Sequence, residues 1–129
     1  MKYSNNETFY ALIAGGRDFD DYQLLKNTMN ILLTYFTDVA IISGTANGAD
    51  KLGEVYAKEK GYKLIRCPAD WNKYGKQAGY IRNSEMADII TNNNNNGICV
   101  CFWDKKSKGT KHMIDIANNK QIQTYVIEY

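Results

Sequence analysis

A chain of 129 residues with 44% apolar content can bury one core and is too short for two comfortable ones, so one domain is expected over 1–129, with 1–8 as an N-terminal extension. A formal charge of +2 gives no field strong enough to imply nucleic acid, and any basic patch must be local. The opening MKYSNNETFY lacks the apolar segment of a secretory signal, and no later run approaches the roughly 18 apolar residues of a membrane span; a soluble, cytoplasmic protein with no membrane partner is expected.

The predicted elements alternate strand and helix. Phe9 to Ala14 (FYALIA) is a short continuous apolar run that suits a strand buried on both faces, ending in Gly15-Gly16. Asp20 or Asp21 can cap a helix over 21–36, where Leu24, Leu25, Met29, Leu32, Leu33 and Phe36 keep helical spacing. Val39 to Ile42 makes a second strand, and 48–60 a second helix with Gly61 as its stop. Residues 62–67 (YKLIRC) alternate as a third strand, ended by Pro68.

A third helix is expected over about 77–90, with a start weakened by Gly75 and Gly79. Five asparagines, 92–96, close it, because asparagine is a poor helix former that tolerates left-handed turns; the run reads as a mobile surface loop with nothing apolar to bury. Ile98 to Trp103 is the fourth strand, Thr110 to Asn119 the fourth helix and Ile122 to Ile127 the last strand. This order predicts an α/β fold: a Rossmann-like, doubly wound parallel sheet of five strands in the order 3-2-1-4-5, with helices on both faces. Cys67, Cys99 and Cys101 read as reduced thiols, and with His112 the only histidine no zinc site or other metal or cofactor is expected.

Open parallel sheets bind ligands beyond the carboxyl ends of their strands, where the strand order reverses. Those ends carry the unusual residues here: GGRDF (Gly15, Gly16, Arg17, Asp18), SGTANGAD (Ser43, Gly44, Thr45, Gly48, Asp50), PADW (Asp70, Trp71) and DKKSKGT (Ser107, Gly109, Thr110). Glycines allow close backbone approach, and helix N-termini favour anions. Arg17, Arg82 and lysines 105, 106, 108 and 111 supply cations, so a ligand with at least one phosphate is implied. Taken singly, each loop also reads as a plain turn, each serine or aspartate as a cap, and the lysines as a solvated face. Trp71 and Trp103 each lie at a strand end where a base could stack. Neither a complete Walker A pattern nor GxGxxG is present, which weighs against a P-loop enzyme or a conventional dehydrogenase.

GGRDF at 15–19, SGTANGAD at 43–50, PADW at 68–71, YGKQAGYIRNSEMAD at 74–88 and FWDKKSKGT at 102–110 together resemble the YspA-like branch of the SLOG superfamily. That superfamily includes the LOG nucleoside-monophosphate phosphoribohydrolases, DNA-processing protein A and sensors of nucleotides derived from NAD. The resemblance implies a Rossmann-like nucleotide-binding domain, with YIRNSEMA placing Arg82 and Asn83 in the site and Arg82 at the position of the LOG catalytic arginine. In SKGT the glycine and threonine of the second LOG motif are kept, but the catalytic glutamate position falls on Met113, whose thioether can neither stabilise positive charge on a ribose nor activate water.

Three functions therefore stand open. The chain binds a nucleotide or ADP-ribose-like molecule as a sensor or sequestering protein, with Asp50 or Asp70 accepting bonds from ribose hydroxyls; or it hydrolyses a nucleotide at the glycosidic bond, with Arg82 catalytic; or it is a nucleic-acid module, which its low charge weighs against. A homodimer or larger homo-oligomer is expected, as ten tyrosines suit a subunit interface.

Overall fold

The computed structural model describes residues 7–129; residues 1–6 of the expected extension lie outside the described residues. Strands β1 (Phe9–Gly15), β2 (Val39–Ser43), β3 (Lys63–Arg66), β4 (Gly97–Trp103) and β5 (Gln123–Glu128) form one sheet in the order β3-β2-β1-β4-β5. Every pairing is parallel, so the predicted order and fold hold. Helices α1 (Tyr22–Leu32), α2 (Ala49–Lys60), α3 (Trp71–Tyr74), α4 (Ala78–Thr91) and α5 (Lys108–Asn119) connect the strands, with a 3-10 turn at Gly75–Gln77 between α3 and α4.

Alternation along the central strands feeds two cores. Phe9, Ala11 and Ile13 of β1, with Val100 and Phe102 of β4, pack with Leu25 and Met29 of α1 and Tyr56 and Ala57 of α2. On the other face Leu12 and Ala14 join Cys99 and Cys101, Met86 and Ile90 of α4, and Met113 and Ala117 of α5. Strands covered on both sides must be apolar at consecutive positions, which is why FYALIA and ICVCF read as unbroken runs. Cys99 and Cys101 are buried with sulfurs 3.7 Å apart, Cys67 is half-buried, and all three are free thiols.

Three elements differ from expectation. The first helix ends at Leu32, not at 36: the Thr34 hydroxyl bonds back to the Asn30 and Ile31 carbonyls, and Phe36 leaves the helical path to stack on Phe9, ring centroids 3.8 Å apart. The tryptophan of PADW opens the unpredicted helix α3, capped by Asp70, whose carboxylate accepts the Lys73 N–H at 3.0 Å. The last helix starts at Lys108, two residues before its predicted start, because Ser107 caps it.

The asparagine run forms a bonded turn. Asn94 and Asn95 take positive φ values of 62° and 54°, while the side-chain amides of Asn93, Asn95 and Asn96 donate to the carbonyls of Ile89, Gln121 and Thr8. Asn96 is buried, so the run ties the end of α4 to the starts of β1 and β5. Among the described residues, no helix is long and apolar enough to cross a membrane.

Candidate functional site

The strand order reverses between β1 and β4, and a cleft of about 220 Å³ opens beside that point. The end of β1 and the loop behind it supply Gly15 and Arg17, the loop after β2 Ala46, the first turn of α2 Asp50, and α3 with the segment behind it Trp71 and Lys76. Tyr80, Arg82 and Asn83 of α4 form one wall, and Ser107, Gly109 and Thr110 at the start of α5 the other. A second depression, formed by the 44–47 and 68–69 loop residues, shares Arg17, Ala46, Trp71 and Arg82 with the first, so the two make a continuous groove.

Arg82 is the centre of this groove. Its Nη1 donates to the Gly44 carbonyl and its Nε to Asn83 Oδ1 at 3.1 Å. Asn83 is buried; its Nδ2 donates to the Gly109 carbonyl at 3.3 Å, which ties α4 to the first turn of α5. Asp50 opens the first turn of α2, where the helix dipole favours a carboxylate, and its Oδ2 accepts the Ala46 N–H at 3.1 Å. A Cβ at Gly44 would lie 2.7 Å from Arg82 Nη1 and 2.8 Å from Asp50 Oδ2, so a glycine is what lets the guanidinium and carboxylate converge there.

Among the described residues, neither Arg17 nor Arg82 forms a direct ion pair. Burial lowers the Arg82 pKa, Asp50 opposes that change and Arg17 adds to it. Burial likewise raises the Asp50 pKa from 3.8 to about 6, although the Ala46 N–H and both arginines act against it. Two guanidiniums thus share the cleft with one carboxylate that is only 5% exposed.

This carboxylate makes stability depend on pH. An acid whose pKa is higher folded than unfolded binds its proton more tightly when folded; its contribution is full below about pH 4 and is lost as pH rises through about 6. Between about pH 4 and pH 7 the native protein should lose on the order of 2 kcal/mol more stability than Asp50→Asn, by urea unfolding. Equal losses in the two proteins would refute this.

The structure separates the predicted residues. Gly15, Arg17, Asp50, Trp71, Arg82, Asn83, Ser107, Gly109 and Thr110 line the cleft, and Gly44 and Thr45 line the second depression. Gly16, Asp18, Ser43, Gly48 and Asp70 line neither. The buried Ser43 hydroxyl donates to Glu54 at 2.7 Å, and Asp18 accepts the Tyr129 hydroxyl at 2.6 Å. Gly48 packs against the backbone of Gly16 and Arg17, and Asp70 caps α3. Asp104 also turns inward: its Oδ1 accepts the Lys106 and Ser107 N–H groups, both at 2.8 Å, and these bonds hold its pKa down. Of the four aspartates near this edge, Asp50 alone lines the cleft.

Lys105 and Lys111 are taken up by Glu128 and Asp115, whereas Lys76 faces the cleft. Gly79, Tyr80 and Met86 also line the cleft; they carry no sequence signal, because which side of α4 faces the cleft depends on how the helix is rotated. Met113, where the resemblance places a catalytic glutamate, does line the cleft, so its thioether stands in the wall.

Fold and cleft together define a Rossmann-like α/β domain with a cation-lined cleft at its topological switch point. Residues 11–74 match the family model described as "YspA, cpYpsA-related SLOG family", so this segment is similar to that family. Arg82 and the 107–110 loop lie beyond the matched segment, so their place in the site rests on geometry. "Gene 61 protein" of Mycobacterium phage D29 is 30% identical over 79 residues, covering 57% of this chain and 59% of that relative, so the match spans less than two thirds of the relative's length. No solved structure matches the chain significantly.

Proposed function

We propose that the chain binds a phosphate-bearing nucleotide, or a nucleotide derivative such as an ADP-ribose-like molecule, as a sensor or sequestering protein. One observation carries this reading: Arg17 and Arg82 face a cleft that offers them a single, largely buried carboxylate. An anion there would restore charge balance and could take two parallel bonds from either guanidinium. The start of α5 adds donors. Thr110 N–H is taken by the Ser107 hydroxyl, but among the described residues nothing accepts the N–H of Lys108 or Gly109. The SKGT segment is thus both a capped helix start and a phosphate cradle.

Calorimetric titration with AMP, ADP, ADP-ribose and adenosine tests the proposal. The phosphorylated compounds should bind and adenosine should bind at least tenfold more weakly; equal binding of adenosine would overturn it. A second reading, cleavage of the N-glycosidic bond, is favoured by Asp50, whose carboxylate stands in the same cleft as Arg82 and could stabilise positive charge on a ribose. Chromatography of the titration mixtures separates the two: free base, lost in Asp50→Asn, would establish turnover. We further propose that the chain forms a homo-oligomer, a state that light scattering measures directly.

A further inference from the structure

Two aromatic side chains stand exposed in the cleft wall, Trp71 at 53% and Tyr80 at 45%. Among the described residues the other exposed tyrosines, Tyr35, Tyr74 and Tyr129, do not line it. An exposed indole leaves a large apolar surface in water unless something covers it. Trp71 opens α3 and leans toward the start of α4: a Cβ at Gly79 would lie 3.6 Å from the ring atom Cη2. Tyr80 is braced by α5, its ring centroid 4.3 Å from that of His112.

That brace is itself held in place. Asn83 Nδ2 lies 3.2 Å from His112 Nδ1 and also donates to the Gly109 carbonyl. An amide NH₂ can only donate, so the imidazole accepts at Nδ1 and carries its proton on Nε2. Burial lowers the His112 pKa, which favours that neutral ring. A continuous set of contacts therefore runs from the α5 cradle through Asn83 and His112 to Tyr80. Less side-chain freedom is left to lose when a flat ligand arrives.

We propose that Trp71 and Tyr80 form a platform for the planar base of the ligand, at the α3–α4 side of the cleft, while its phosphate lies against Arg17 and Arg82. This rests on the nucleotide reading above and adds to it a base subsite with Tyr80, His112 and Asn83 as parts. Stacking on aromatic side chains is sequence-tolerant, so the platform selects for a base over none more strongly than for one base over another.

The test compares AMP with ribose 5-phosphate, which carries the same phosphate and sugar without the base. By calorimetry, AMP should bind the native protein roughly tenfold or more tightly than ribose 5-phosphate. That ratio should fall toward one in the double variant Trp71→Ala/Tyr80→Ala and persist in Trp71→Phe/Tyr80→Phe, with circular dichroism confirming the fold of both. Equal affinities in the native protein, or an undiminished ratio in the alanine variant, would overturn the platform and leave the phosphate site standing. Failure of both ligands to bind would overturn the nucleotide reading as well.

Discussion

Arg82→Ala is expected to weaken nucleotide binding about 100-fold, equivalent to roughly 3 kcal/mol, because it removes one of two guanidiniums facing the proposed phosphate position. Its effect should exceed that of Arg17→Ala. Arg82 is the more buried of the two and is held by bonds to the Gly44 carbonyl and Asn83, so less freedom is lost when it grips an anion. Arg82→Lys should recover only part of the loss, since a lysine restores the charge but not two parallel bonds. Calorimetry with ADP, alongside thermal unfolding to separate lost affinity from lost fold, measures the effect. Native affinity in a folded Arg82→Ala protein would remove the arginine from the site.

Gly48→Ala is the largest stability effect expected, about 3 kcal/mol or more. Gly48 adopts φ 79° and ψ −127°, and a Cβ there would lie 2.2 Å from the Gly16 carbonyl oxygen and 2.6 Å from that of Arg17. Both neighbours are backbone atoms, so relief requires moving the loop that carries Arg17 into the cleft. Gly61 is the natural control: it too has a positive φ, 72°, at the end of α2, but a Cβ would meet nothing within 4 Å. Gly61→Ala should cost about 1 kcal/mol. Urea unfolding of the pair gives the comparison, and similar losses at the two sites would contradict the close approach at Gly48.

Much of this architecture could be read from the chain because its central strands are buried on both faces. That condition writes continuous apolar runs such as FYALIA, and short connections then leave few topologies. The site edge followed from the topology, which brought four loops carrying aspartate, three of them with glycine as well, to the same end of the sheet. Individual roles within those loops did not follow. Ser43, Asp70 and Asp104 carry the same kinds of oxygen as a ligand-binding residue, yet they spend them on Glu54, on the α3 N-terminus and on the 106–107 backbone.

Asp50 could not be told apart from Asp18, Asp70 or Asp104 until burial and neighbours were known. Helix α3 was hidden because it is four residues long, closed by Gly75 and too short to show any period. Tyr80 was hidden for a different reason. A tyrosine on a helix reads as core, surface or site alike until the helix is docked, and α4 places it in the cleft lining that also holds Trp71.

The central claim is that a nucleotide phosphate lies against Arg17, Arg82 and the start of α5. A crystal structure of the protein with ADP tests it most directly. Phosphate density within hydrogen-bonding distance of the Arg82 guanidinium and the Lys108 or Gly109 N–H is the predicted result. ADP bound elsewhere on the surface, with this cleft holding no phosphate, would contradict the account.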